Sequence, residues 1–457
     1  MNSKIKVAII GVGARGMHYA RCCQEFSDQV EVTAIADLIP ERLRELSEEL
    51  HLPENRCFAS GEELLEQDRL ADIMFICTQD RQHFIPAVRA MEKGYHLLLE
   101  KPVSPFAGEW GVLLQTAERT GRQVVVCHVL RYTPFYQKIK EIIDSGQIGE
   151  IVSIQAMESV LWWHQAHSYV RGNWNNSDTS SPMILAKCCH DLDLLLWLSG
   201  KKCIRAASIG SLKHFRRENA PAGSADRCID CGVKENCPYD AEKIYICNDR
   251  TGVAKGNTQW PCDVLTEKPT VESIQEAISS GPYGRCVYRC DNNVVDHQIV
   301  MLEMEDQVTA DLNMCAFTAG SRSMDVMGTL GEIKGNMDQN YIKVTPFGLK
   351  PVRYYEKDLL GGVPMEYDPY GHGGGDKRLI QDLIHLIGGK GKTSTSLTSL
   401  QRSLESHYVS LAAEESRIHG GMPVDMERFI AENSQIQAND MTQRESSDMV
   451  REMIQGE

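Results

Sequence analysis

The chain has 457 residues, 42% of them hydrophobic and 24% charged, with a net charge of −15 at neutral pH. That length exceeds one ordinary core and predicts two domains. The acidic balance argues against nucleic acid or an anionic membrane surface as partners; no apolar run reaches membrane-spanning length, and the start MNSKIKVAII lacks a secretory signal, so a cytoplasmic protein with mostly reduced cysteines is expected.

Val7–Ile10 reads as a buried strand, followed by the glycine pattern Gly11, Gly13, Gly16 and an apolar helical period. Gly11 permits a tight turn, Gly13 the close approach of a pyrophosphate, and Gly16 close helix–strand packing. The helix start, with Ala14 and Arg15, offers N–H groups and partial positive charge to that anion. A second strand, Val30–Ala36, ends at Asp37, about 20 residues past the last glycine, where a ribose-binding acid belongs. The pattern predicts dinucleotide binding; the other reading is an empty doubly wound domain. Strand and helix then alternate: Pro40–Leu50 helix, Ile73–Cys77 strand, Pro86–Lys93 helix, His96–Leu99 strand, Glu109–Thr120 helix and Val124–Cys127 strand. This succession predicts a parallel sheet with right-handed crossovers over residues 1–128.

Tyr136–Ser145 reads as a linking helix, Glu150–Met157 as a strand and Ile184–Leu198 as a helix. Strands dominate afterwards, at Cys203–Leu212, Val294–Met304, Gln307–Ala316, Ser323–Gly328, Glu332–Asn336 and Tyr341–Thr345, and predict a mostly antiparallel sheet. Asp376–Ile387 and Leu397–His419 read as helices. The second domain is thus expected over 129–425, of α+β class. It is interrupted by a loop insertion with little core of its own at about 213–290, and a polar tail fills 426–457.

Ligands of open doubly wound sheets bind beyond the carboxyl ends of the strands. Besides Gly11–Gly16 and Asp37, two segments fall there: Thr78-Gln79-Asp80-Arg81-Gln82-His83 and Glu100-Lys101-Pro102. Lys101, beside a proline that fixes the backbone, can aim its ammonium at a hydroxyl or carbonyl, and a nearby nicotinamide ring would lower its pKa. The plainer reading is a surface lysine at a turn. In Lys187-Cys188-Cys189-His190-Asp191-Leu192-Asp193, helical spacing puts Lys187, His190 and Asp191 on neighbouring faces. His190 could take a hydroxyl proton as hydride leaves the same carbon; otherwise it is a core histidine.

Gly11–Gly16, Thr78–His83, Glu100-Lys101-Pro102, Arg131-Tyr132 with Pro134, and His190-Asp191-Leu192-Asp193 together resemble the glucose–fructose oxidoreductase/inositol dehydrogenase (Gfo/Idh/MocA) family. The resemblance implies a Rossmann-type N-terminal domain that binds NAD or NADP. It also implies a C-terminal open, largely antiparallel sheet that forms homo-oligomers, and redox chemistry at one carbon of a sugar or cyclic polyol. It makes Lys101 and His190 the catalytic pair. The cofactor contacts expected are Gly11, Gly13, Ala14, Arg15, Gly16, Asp37, Thr78, Gln79, His83, Glu100 and Lys101, with Asp37 favouring NAD over NADP and Arg42 opposing that preference. The sequence departs from the family where many dehydrogenases carry an aspartate four residues before the helix histidine; here Ala186 stands there, and Lys187 follows. Either Lys187 joins binding or proton relay, or the reaction is cleavage of a glycoside by transient oxidation and elimination. A non-catalytic NAD-binding sensor is the remaining alternative.

Substrate contacts are expected from Arg131, Trp163, His164, His167 and Asp191, since indoles suit sugar C–H faces and imidazoles move protons; an ordinary aromatic loop at a domain boundary is the rival reading. Gly371-His372-Gly373-Gly374-Gly375-Asp376 could close over substrate or simply cap a helix. Cys228, Cys231 and Cys237 have metal-ligand spacing for a structural zinc, with the fourth ligand open among Cys247, Cys262, Cys286 and Cys290; free thiols or disulfides are the alternatives.

Overall fold

The computed structural model describes residues 4–359, 372–389 and 394–434. Two sheets organise it. The first has six parallel strands: β1 (Ile5–Ile10), β2 (Val30–Ala36), β3 (Cys57–Phe58), β4 (Ile73–Ile76), β5 (His96–Leu99) and β6 (Val124–Val126), in the order β3-β2-β1-β4-β5-β6. The reversal of order at β1 and β4 opens a crevice at their carboxyl ends. Helices α1 (Ala14–Gln24), α2 (Pro40–Leu50), α3 (Gly61–Glu66), α4 (Phe84–Glu92) and α5 (Ala107–Thr120) supply the crossovers. Their ends follow local chemistry: Ser60 caps α3 by accepting from Glu63 N–H, and Gly121 closes α5 at φ +65°.

After α6 (Pro134–Asp144), which Thr133 caps, the chain enters a nine-stranded sheet. Its strands are β7 (Ile151–Leu161), β8 (Cys203–Ser211), β9 (His297–Met304), β10 (Thr309–Thr318), β11 (Ser321–Gly328), β12 (Gly331–Asn336), β13 (Tyr341–Pro346), β14 (Val352–Tyr354) and β15 (Val424–Asp425), in the order β14-β13-β12-β11-β7-β10-β9-β8-β15. Pairing is antiparallel except between β7 and β10. Alternation along β7 turns Ile154, Ala156, Glu158 and Val160 inward.

Three expectations change. The helix expected over 184–198 is two: α8 (Met183–Ala186) and α9 (Cys189–Ser199), preceded in chain order by the single turn α7 (Trp162–His164). Lys187 and Cys188 form the break between α8 and α9, so Lys187 leaves the helix face that carries His190. The insertion is no bare loop. It holds α10 (Cys262–Leu265) and α11 (Val271–Ser280), the latter with a Thr270–Ser273 capping box. It also buries its own cluster, including Phe215, Ile244, Tyr245, Ile274 and Val287 with Trp163 and Val170. Finally, past the short α12 (Glu356–Leu359), the helix expected at 376–387, α13 (Gly375–Ile387), packs on the first sheet, burying Leu379, Ile380, Leu383 and Ile384 with Val7, Ile9, Tyr19 and Val125. Thr398 and Ser399 then pair with β6 before α14 (Leu400–Ile418) covers the second sheet. Residues 426–433 of the expected tail form α15 (Met426–Asn433); the tail beyond 434 lies outside the described residues.

A buried ion pair ties the link to α9. Arg131 donates from Nε and Nη2 to the two Asp193 carboxylate oxygens, each at 2.6 Å, with both side chains almost wholly buried. The Arg131→Met variant should lose about 3–5 kcal/mol of unfolding free energy by leaving Asp193 charged and unpaired, and Arg131→Met with Asp193→Leu should lose less. Urea unfolding of the three proteins checks this; equal losses in single and double variants would contradict it.

Candidate active site

The glycine turn is built as its three positions require. Gly11 has φ +89°, and a Cβ there would lie 2.7 Å from the Cys77 carbonyl oxygen. A Cβ on Gly16 would lie 2.0 Å from the Gly11 carbonyl oxygen, so α1 packs directly on the turn. Gly13 differs: its Cβ would meet only Arg42 Nη1, at 3.6 Å, leaving open space before the α1 N-terminus. No acidic side chain occupies the first turn of α1. Asp37 follows β2; its Oδ2 accepts from Val12 N–H at 2.8 Å and its Oδ1 from Ile39 N–H at 2.9 Å, and Arg42 Nη1 lies 3.9 Å away.

Beyond β4, Thr78 Oγ1 donates to the Gln82 carbonyl, and Gln79 leads into the turn Asp80–Gln82. Asp80 is buried against Trp174 Nε1 and Ser181 Oγ. The His83 ring lies between the Thr78 carbonyl (3.0 Å) and the Pro102 carbonyl (2.8 Å), tying this loop to the Glu100-Lys101-Pro102 turn. Glu100 accepts from Arg15 Nε (2.8 Å), Tyr19 OH (2.9 Å) and its neighbour's N–H. Burial alone would raise its pKa, but the Arg15 guanidinium and then Lys101 hold it below the usual carboxylate value. Arg15 also pairs with Asp376, which His372 Nδ1 contacts at 2.9 Å. The loop read as either closing over substrate or capping a helix is thereby anchored to the glycine turn; Gly371 lies outside the described residues.

Lys101 Nζ donates to the carbonyl of Ala186, at 2.9 Å, at the end of α8. His190 stands one turn further, in α9, 6% exposed, with Nδ1 buried and unpartnered. Burial depresses its pKa far below the usual histidine value, and the Lys101 charge is the strongest of the neighbouring charges that add to the effect. The imidazole is therefore neutral. Its ring lies 6.2 Å from that of His372 and 5.5 Å from that of His128.

Next to this pair is a four-charge cluster. Arg322 stands directly across from Glu158 in the β7–β11 register, and its Nε reaches Glu158 Oε2 (2.5 Å) and Asp191 Oδ1 (2.9 Å). Lys187 Nζ meets Glu158 Oε1 at 3.4 Å. Burial raises the Asp191 pKa to about 6; Arg322 opposes the rise and Glu158 adds to it. Burial lowers the Lys187 pKa, against the pull of Glu158. His164 is also pushed down, by burial first and then by the charge of Lys187.

Other expected substrate residues are committed elsewhere. Arg131 is occupied by Asp193. His167 is 2% exposed, hydrogen-bonded to Tyr245 OH at 3.0 Å and stacked on Tyr283; its pKa falls to about 3 through burial and Arg171. Trp163 is buried between His164 and Trp260. Of the Trp162–Arg171 segment, His164 alone among the expected residues stays with the charged cluster, because the segment's other face packs on the insertion. Cys228, Cys231, Cys237 and Cys286 are free thiols lining one cavity, and among the described residues no three His, Cys, Asp or Glu side chains already stand as a metal-holding group. Sequence reasoning missed Glu158, Arg322 and His128. The first two were signalled by charge at inward positions of alternating strands; His128, 1% exposed at the end of β6, carried no such signal.

Comparison with known proteins agrees with this architecture. Residues 5–128 match the model of the oxidoreductase family with an NAD-binding Rossmann fold (GFO_IDH_MocA), and residues 140–426 match the model of its C-terminal alpha/beta domain. A putative oxidoreductase of Bacillus subtilis, YteT, is 24% identical over 389 residues, covering 79% of this chain and 83% of that protein. An inositol 2-dehydrogenase of Corynebacterium glutamicum is 22% identical over 205 residues, covering 45% of this chain and 57% of that enzyme. Among solved structures, an inositol dehydrogenase homologue from Azotobacter vinelandii complexed with NAD+ superposes with TM-score 0.65 at 15% identity, covering 93% of this chain and 98% of that one. The WlbA dehydrogenase of Chromobacterium violaceum, in complex with NADH and UDP-GlcNAcA, also gives 0.65, at 16% identity, over 93% and 97%.

The glycine geometry separates binding from folding. Gly13→Val should fold normally yet weaken nucleotide binding by more than about tenfold, through lost space before the α1 N-terminus. Gly16→Ala should lower the unfolding temperature by about 4 °C or more, because the added methyl meets the Gly11 carbonyl. Calorimetry and nucleotide titration read the two effects; full nucleotide affinity in Gly13→Val would refute the assignment.

Proposed function

Because the chain belongs to the Gfo/Idh/MocA oxidoreductase family, with its NAD-binding Rossmann fold, we propose that it transfers hydride between NAD and a hydroxyl-bearing carbon of a sugar, glycoside or cyclic polyol. The observation that carries this reading is the contact of Lys101 with the α8–α9 segment: Lys101 Nζ, beyond β5, donates to the Ala186 carbonyl one helical turn before His190, whose buried imidazole feels the Lys101 charge. In the oxidation direction His190 would take the hydroxyl proton and Lys101 would stabilise the developing oxyanion as the same carbon gives up hydride. NAD would supply the hydride acceptor. Gly11, Gly13, Ala14, Arg15 and Gly16 would hold its pyrophosphate; Thr78, Gln79, His83 and Glu100 would shape the nicotinamide side. Asp37, already oriented by Val12 and Ile39 N–H, supports ribose recognition and hence NAD over NADP. The substrate would lie against His164, Lys187 and Asp191.

The charged cluster also favours a second reading, redox-neutral cleavage of a glycoside. Transient oxidation acidifies the neighbouring C–H, and elimination then needs a further acid–base group. Lys187, buried beside Glu158 with a lowered pKa, suits that task. The outward face of the nine-stranded sheet exposes Ile209, Ile299, Met301 and Phe317, which supports assembly of copies of this chain through that face.

Incubating the purified protein with NAD and a panel of sugars, polyols and glycosides separates the two reactions. Net dehydrogenation gives reduced-nicotinamide absorbance in proportion to substrate; redox-neutral cleavage gives aglycone without it; neither signal across the panel would overturn both. Lys101→Ala should lower turnover about 10²- to 10⁴-fold with nucleotide affinity nearly unchanged. Asp191 binds Arg322 as a carboxylate, so protonation as pH falls through about 6 should weaken its hold on Arg322, leaving Glu158 as the partner, and lower kcat. This acid limb should flatten in Asp191→Asn, measured as a pH–rate profile; an unchanged limb would remove Asp191 from the site.

A further inference from the structure

Arg171 ends the Trp162–Arg171 segment and is 2% exposed, yet no carboxylate lies within ion-pair distance among the described residues. Its Nε donates to the Arg285 carbonyl (2.8 Å), and its Nη2 donates to the Tyr239 carbonyl (2.7 Å) and the Cys228 sulfur (3.4 Å). Its Nη1 is buried without a partner. A guanidinium cannot shed its proton in a protein, so this is a buried positive charge facing neutral groups. It borders a cavity lined by Cys228, Cys231, Cys237 and Cys286. Three of these come from one stretch with spacing x2 and x5. The fourth is brought in by backbone pairing: Cys228 N–H donates to the Gly284 carbonyl (2.9 Å) and Cys286 N–H to the Asp226 carbonyl (2.8 Å).

We propose that Cys228, Cys231, Cys237 and Cys286 bind one zinc ion as a tetrathiolate, with Arg171 as its buried counter-charge. Binding replaces four S–H bonds by four Zn–S bonds and releases four protons; no electron moves. Four thiolates around Zn²⁺ carry a net −2, which gives the guanidinium the anion it lacks, and the Nη2–H···S contact becomes a charge-assisted bond to a metal ligand. The four thiols do not stand as a metal-holding group without the ion, so binding would draw them together across the cavity. The cavity, about 20 Å³, has room for one water-sized body. Asp240 and Lys234 also line it; Asp240 Oδ1 accepts from Lys243 N–H while its Oδ2 is buried without a partner, and Lys234 pairs with Glu242. Disulfides would leave Arg171 facing uncharged sulfur, which argues against them. The ion would lock the insertion to the segment that carries His164.

The test uses the full chain, produced in zinc-supplemented medium and freed of loosely held metal by gel filtration. Elemental analysis should find about one zinc per chain. Cys231→Ser and Cys237→Ser should lose it while keeping wild-type nucleotide binding, whereas Cys203→Ser, at a thiol in β8, should retain it. Arg171→Met should release zinc to a chelator faster than wild type. Cobalt exchanged for zinc should show intense thiolate-to-metal charge-transfer absorption. Zinc-free wild-type protein that gives no such cobalt band would overturn the proposal, as would iron with acid-labile sulfide, or zinc retained in both cysteine variants.

Discussion

The hydrogen bond from Lys101 Nζ to the Ala186 carbonyl is the contact on which the site's geometry rests. It joins the end of β5 to the helix pair that carries His190. A lysine side chain has several rotatable bonds, and its ordering costs up to about 2 kcal/mol of rotamer freedom. The protein offsets that by fixing the residues on either side. Glu100 is held by Arg15 and Tyr19, and the Pro102 carbonyl by His83. The ammonium keeps two further N–H donors for a ligand oxygen. The same turn is tied to the glycine loop through Arg15, and this network continues to Asp376 and His372 from the C-terminal half.

Two buried charge sets lie close together and differ in kind. Arg131 and Asp193 use matched bidentate geometry and satisfy each other fully, which suits a strut. Glu158, Arg322, Lys187 and Asp191 are less complete: Asp191 Oδ2 is a buried acceptor without a partner, and Lys187 meets Glu158 at only 3.4 Å. Incomplete pairing in a dry interior is costly, and such groups are typical of sites where a ligand completes the set. That contrast, more than the identity of any one residue, supports placing substrate on the Lys187 side of His190.

The local grammar of the chain carried most of the fold. Short apolar runs gave β4 and β5, Gly11 and Gly16 stand where a side chain would clash, and Gly13 faces open space. These depend on neighbours in sequence. What stayed hidden depends on partners far along the chain. Alternation shows that Glu158 points inward, but only the β7–β11 register shows that Arg322 awaits it. Aromatic residues at 162–169 look alike in sequence, yet Tyr245 and Tyr283 of the insertion withdraw His167 and leave His164. The break at Lys187-Cys188 has no proline or glycine to announce it.

The insertion has a mechanical consequence for the site. The Gln165–Arg171 turn is wound wider than an α-helix and is buried throughout, so its backbone must be held from outside. Tyr245 and Tyr283 hold His167; Trp260 sits 5.0 Å from Trp163 and 4.8 Å from His164, ring centre to ring centre. His164 therefore has one neighbour set from the insertion and another from Lys187. Loosening the insertion would move His164 relative to the charged cluster without touching Lys101 or His190. On the proposed reading, Lys101 and His190 would serve proton and hydride movement, while the insertion, through one aromatic layer, shapes the wall beside them.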